Sequence, residues 1–187
     1  MAAAFDEALN HLTVVPEPLQ RFTSQNTFAE LYSSSFPVFA LRSEVSKSDL
    51  QQAVKVVNEQ AHAELGIGDS DLADISYAAV VPEPWQLHER SASDAARWYH
   101  DESNKDGCRT VNDPQWYPLG FLGIVSSDWR KTGAVLVFYD ASHRHPKEEQ
   151  VAVKAFVVDL EKIWPAVISL RQGDNGFGDV KRNSAME

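Results

Sequence analysis

The residues best suited to metal chemistry lie in one short polar segment. Asp140 ends a predicted strand, and His143 and His145 follow it with His-x-His spacing, which can present two imidazoles to one metal ion. Arg144 and Lys147 lie beside these histidines and oppose a bound cation. A solvated hairpin loop is therefore the alternative interpretation of this segment.

A second candidate for acid–base work is the pair His100 and Asp101. Adjacent residues on a helix point in different directions, so ordinary surface charge is the alternative.

Cys108 is the only cysteine, and its polar neighbours favour a spectator thiol rather than a nucleophile. The glycine-rich segment 173–178 has no lysine and contains an acid, so we interpret it as a tight turn with no helix after it. No cofactor is predicted.

Aromatic residues at predicted element ends and in loops form the candidate binding set. Such side chains can line a pocket or anchor a partner, and they can equally cover the edge of a core under long loops. The set consists of Trp85, Trp98, Trp116, Tyr117 and Trp129.

Composition restricts the partners. The 187 residues include 17 basic and 27 acidic side chains, which gives a formal net charge of −10. Nucleic acid and anionic membranes bind basic surfaces, so both are excluded, and a basic protein partner or a small molecule is favoured. With a single cysteine, no signal peptide and no membrane-spanning apolar run, the sequence predicts a cytoplasmic protein.

The elements that position these residues predict an α/β (α+β) fold. Residues 1–187 form one domain, with 1–24 as a possible N-terminal arm and 181–187 as a frayed tail. The sheet is mixed or mostly antiparallel, with a C-terminal β-meander flanked by two or three helices. Strands are expected at 37–41, 75–81, 119–126, 134–140 and 151–158, and helices at 50–65 after a Ser46 or Ser48 cap, at 94–100, and at 159–170, where Pro165 shifts the start or kinks the chain.

These apolar patterns resemble a known family. They comprise the early strand and helix of 36–57, the segments 120–129, 134–140 and 153–160, and the ending 173–179. Together they resemble a domain of unknown function seen in fungi and bacteria, over residues 36–180. The resemblance implies a plausible fold and supplies no functional residues.

Three functions from different classes follow. The first is a non-catalytic binding or regulatory module, because no coherent catalytic constellation occurs and the chain is acidic with loop aromatics. The alternative is a small-molecule enzyme with a His/Asp acid–base or metal site under the 101–118 loop. A structural subunit or homodimer is the third, distinguished by the mass in solution.

Overall fold

The computed structural model describes residues 15–16, 36–65, 79–87, 95, 98–99, 120–140, 150–172 and 177–184. Its strands are β1 (Val15–Pro16), β2 (Phe36–Ala40), β3 (Ala79–Val80), β4 (Gly120–Ile124), β5 (Ala134–Asp140) and β6 (Gln150–Val158). Its α-helices are α1 (Lys47–Leu65), α2 (Trp129–Thr132), α3 (Ile163–Gln172) and α4 (Phe177–Ser184), with a 3₁₀ turn at Leu160–Lys162. No described helix has the length and apolar character needed to cross a membrane.

The strands form one mixed sheet in the order β1-β6-β5-β4-β2-β3. Strand β2 runs parallel to both of its neighbours, β3 and β4, while β4, β5 and β6 are successively antiparallel. The predicted α/β class, mixed sheet and C-terminal meander are therefore confirmed. The sequence did not predict that β2 would lie between β3 and β4, because that arrangement depends on a long connection between β3 and β4.

Helix α1 covers one face of the sheet, which we call the first face. Its buried residues recur at helical spacing and pack against alternate residues of the central strands, as expected for a half-buried helix on a pleated sheet. The helix contributes Leu50, Ala53, Val57 and Ala61, and the strands contribute Phe36, Val38, Ala40, Leu122, Ile124, Leu136 and Phe156.

Two side-chain amides fasten α1 to its neighbours. The Asn58 amide accepts from Ala79 N at 2.7 Å and donates to Ala79 O at 3.2 Å, so it takes both backbone groups of that β3 residue. The Gln60 amide donates to Leu160 O and accepts from Trp164 N at 3.2 Å. Because the first N–H groups of a helix have no partner within it, Gln60 stabilises the start of α3.

The last helices also pack on the first face. Pro165 lies in the first turn of α3, where a missing N–H costs no helical hydrogen bond, so the helix starts just before it. Trp164 is fully buried, and its Nε1 has no hydrogen-bond partner.

The second face of the sheet carries an aromatic layer. Phe39 contacts Trp98, Tyr99 and Phe121 edge-on, with ring centroids 5.9, 5.7 and 5.5 Å apart. Ala95, Trp98 and Tyr99 are helical, as the 94–100 prediction requires, and Ala95 and Tyr99 are fully buried. Ala95, Trp98 and Tyr99, the described helical residues between β3 and β4, therefore lie on the face opposite to α1.

Two predictions about turns and ends are corrected. Residues 181–184 continue α4 instead of fraying, because Val180 is buried in the core and holds the helix in place. A helix also follows the glycine-rich segment, since α4 begins at Phe177. Most of the predicted arm 1–24 and the positions 75–78 lie outside the described residues.

The Asn58 amide bonds lead to a stability prediction. In Asn58→Ala the backbone N–H and C=O of Ala79, a residue only 1% exposed, lose their partners. We expect the free energy of unfolding to fall by about 1–3 kcal/mol, measured by urea denaturation. The control Gln52→Ala, on the exposed side of the same helix, should change it by less than about 0.5 kcal/mol. Equal effects of the two substitutions would contradict this role of Asn58.

Candidate functional site

The carboxyl ends of the three parallel strands meet at one edge of the sheet. Residues 41–47 follow β2, residues 81–87 follow β3, and residues 125–131 follow β4. We call these three segments together the strand-end edge. Helix α1, which follows β2, and the described residue Tyr99, which follows β3, lie on opposite faces of the sheet. Ligands of open α/β sheets bind outside the carboxyl ends of strands where the connections diverge in this way. The strand-end edge is therefore the candidate functional site.

The segment after β2 is fixed to β4 and then starts α1. Leu41 N donates to Ile124 O at 2.9 Å. A side chain at Gly123 would place its Cβ 2.2 Å from Leu41 Cδ1, so the glycine makes room for this buried leucine. Ser46 caps α1, because its Oγ accepts from Asp49 N at 3.2 Å. Ser46 N and Oγ also donate to Asp49 Oδ2, at 2.8 and 2.7 Å. These two bonds lower the pKa of Asp49, with the Oγ bond as the larger cause.

The segment after β3 leaves β2 and then returns to it. Beyond Val80, the residues Pro82-Glu83-Pro84 separate from β2, and the Glu83–Pro84 peptide bond is cis. The chain rejoins β2 where Gln86 pairs with Ala40. Glu83 is bridged to Lys47 at the start of α1. Trp85 is thereby held at the edge, partly buried against the first-face core and partly exposed.

The segment after β4 forms the turn that begins α2. Asp128 N donates to Ser126 Oγ at 3.1 Å, and Lys131 Nζ lies 2.9 Å from Asp128 Oδ2. This carboxylate, first through its hydrogen bond and then through its charge, raises the pKa of Lys131. The Arg130 guanidinium lies 4.6 Å from the centre of the Trp129 ring, a cation–π contact.

The strand-end edge carries charged side chains of both signs. Its positively charged residues are Arg42, Lys47, Arg130 and Lys131, and its negatively charged residues are Glu44, Glu83 and Asp128. His62, on α1, is the only histidine among the described residues. None of the described histidines therefore lies within the three segments of the strand-end edge, where it could serve as a base for a serine. The described residues also contain no group of three or more His, Cys, Asp or Glu side chains able to hold a metal ion.

The predicted acid–base and metal residues stay predictions. His100, Asp101, His143 and His145 lie outside the described residues, as does the 101–118 loop above the predicted enzyme pocket. Asp140 is the last residue of β5, where it pairs with Ala152 of β6.

A comparison with protein-family models, curated proteins and solved structures found no match.

The aromatic set is distributed over different parts of the molecule. Trp85 lies at the strand-end edge, while Trp98 belongs to the aromatic layer on the second face. Trp129 is only 3% exposed and packs in the first-face core, which agrees with the structural alternative for this residue. Trp116 and Tyr117 lie outside the described residues.

Other edge residues escaped the sequence reasoning. The Lys47–Glu83 pair joins residues 36 positions apart, and no local pattern indicates such a pairing. Gln86 follows Pro82-Glu83-Pro84, where the sequence predicts a loop, so its pairing with β2 has no signal in the sequence. The Ser46 cap did have a signal, because serine before an apolar helical repeat is typical of a helix start.

The Ser46 cap predicts a pH effect. We expect Ser46→Ala to raise the pKa of the Asp49 carboxyl toward its ordinary value and to lower stability by about 0.5–2 kcal/mol near neutral pH. Because the pKa is lowered on folding, the carboxylate's contribution is present above the ordinary pKa and is lost as pH falls through the folded pKa. NMR titration and urea unfolding measure both effects. Exposed Ser43→Ala is the control, and an unshifted Asp49 titration in Ser46→Ala would contradict the assignment.

Burial of Trp129 predicts a large stability effect. We expect Trp129→Ala to reduce the free energy of unfolding by about 3–5 kcal/mol, because it leaves a cavity in the core. Arg130→Ala removes only the exposed partner of the ring and should cost less than about 1 kcal/mol. Calorimetric unfolding of both variants distinguishes these effects. A Trp129→Ala protein as stable as the wild type would show that the ring does not support the core.

Proposed function

We propose that this protein is a non-catalytic binding module that holds a basic partner protein at the strand-end edge. The observation that carries this proposal is the setting of Trp85. Its ring is partly exposed, and its backbone carbonyl accepts from Ala40 N at 2.9 Å. Tryptophan held on a rigid support is typical of residues that dominate binding energy at protein interfaces.

The surroundings of Trp85 favour a preorganised contact surface. Lys47 and Glu83 bridge the β3 segment to α1, and Leu41 N donates to Ile124 O to join the β2 and β4 segments. An edge that is ordered before binding loses less conformational entropy when a partner docks.

The net charge of the whole chain supports a basic partner. The described residues carry ten acidic and ten basic side chains, so they are neutral as a group. The other 17 acidic and seven basic residues lie outside them and account for the whole net charge of −10. The net negative charge of the whole chain attracts a basic partner over long range, while close contact comes from the edge. With its single Cys108, we place this module in the cytoplasm.

The first test identifies the partner and its position. Native mass spectrometry of the protein from its own cells should show a stoichiometric protein adduct. A photo-crosslinking amino acid at the exposed edge residue Ser127 should capture that adduct, whereas the same group at Gln52 on α1 should not. Crosslinking only from position 52 would show that the interface lies away from the strand-end edge. A native mass spectrum that shows the monomer alone would count against a stable partner. Bound metal or small ligand would instead support the enzyme alternative.

The second test measures the contribution of Trp85 with the purified partner. We expect Trp85→Ala to raise the dissociation constant by about 30-fold, as loss of a hot-spot side chain does. Affinity should also fall as salt is raised, because charge steers the association. Gln52→Ala should leave the affinity unchanged, and unfolding curves must show that both variants are folded. A folded Trp85→Ala protein with wild-type affinity would overturn the proposal.

A further inference from the structure

Residues Trp85, Gln86 and Leu87 form a short outer edge of the sheet beside β2. The Trp85 carbonyl accepts from Ala40 N at 2.9 Å, and Leu87 N donates to Ala40 O at 2.8 Å. Both groups therefore point inward, toward β2. In an extended chain the backbone groups of successive residues point in opposite directions, so the N–H and C=O of Gln86 point outward, away from the sheet.

These two Gln86 groups are available to another chain. Gln86 is exposed, and within the described part of the chain neither its N–H nor its C=O has a hydrogen-bond partner. An N–H and a C=O that leave one residue on the same side are the pair that an added β-strand engages. The interior backbone groups of a docked helix cannot engage them in this way, because those groups are already bonded within the helix.

An earlier outward position on this side of β2 is closed. At Ala79, which pairs with Phe36 of β2, the Asn58 amide takes both the N–H and the C=O. Proteins often block the open edge of a sheet, because an open edge templates pairing with other chains. Along this edge the molecule therefore blocks Ala79 with a side chain and leaves Gln86 open, next to the partly exposed Trp85.

We infer that the Trp85–Leu87 edge binds an extended peptide segment of the partner, one residue of which exchanges two main-chain hydrogen bonds with Gln86. The Trp85 ring and exposed Pro84 supply apolar contact for its side chains. The segment carries lysine or arginine, in keeping with the net charge of −10. This inference rests on the proposed function and names the form in which the partner is recognised.

The test uses peptides as the probe. A phage-displayed library of nine-residue peptides is enriched on the full chain, and the best binder is synthesised. Its affinity is measured by calorimetry for three proteins, namely the wild type, Gln86→Ala and Gln86→Pro. Gln86→Ala keeps the backbone N–H and should bind as the wild type does. Gln86→Pro removes that N–H, which has no internal partner, and should bind about five- to tenfold more weakly. Thermal unfolding checks that both variants are folded.

A second measurement avoids any change to the protein. Single N-methylation is scanned along the selected peptide, and one position should abolish binding because its N–H donates to the Gln86 carbonyl. Methylation at the adjacent positions should matter much less, since their N–H groups point away. Equal binding to Gln86→Ala and folded Gln86→Pro, or a flat methylation scan, would overturn strand addition. If strand addition is overturned but Trp85→Ala still weakens binding of the partner, the strand-end edge remains the binding surface. Dimerisation lost only in Gln86→Pro would also overturn the inference, because a second copy would then occupy the edge.

Discussion

Strand β2 has to be buried on both of its faces, and the rest of the structure is arranged to achieve this. Phe36, Val38 and Ala40 face the core beneath α1, while Phe39 contacts the aromatic layer on the other face. Parallel neighbours on both sides bond its backbone. A strand buried on both faces needs a layer on each, which is why α1 and the helical residues around Tyr99 lie on opposite sides of the sheet.

This arrangement also creates the strand-end edge. Because β2, β3 and β4 are parallel, the segments that leave them emerge together, and short-range contacts then order those segments. Gly123 makes room for Leu41, and the return of the chain to Ala40 holds Trp85. Trp85 is thereby a partly exposed aromatic residue on an ordered support.

Electrostatics and packing are divided between different parts of the chain. The described framework is neutral as a group, and its ion pairs, such as Lys131 with Asp128, lie at the surface. Such exposed pairs add little stability, so the framework depends on the buried apolar side chains and on the amide bonds of Asn58 and Gln60. The charges outside the described residues account for the net charge of −10.

The sequence by itself determined the elements: alternating and continuous apolar runs indicated the strands, and the serine-capped repeat of Leu50, Ala53 and Val57 indicated α1. These are local properties, because side-chain periodicity follows directly from helix and strand geometry. It also indicated the meander, since β4, β5 and β6 are joined by short connections. Only the tertiary structure decided that β2 lies between β3 and β4, that Trp129 is buried while Trp85 stays partly exposed, and that Gln86 lies at an open edge. These features depend on contacts between residues tens of positions apart, which local periodicity does not encode.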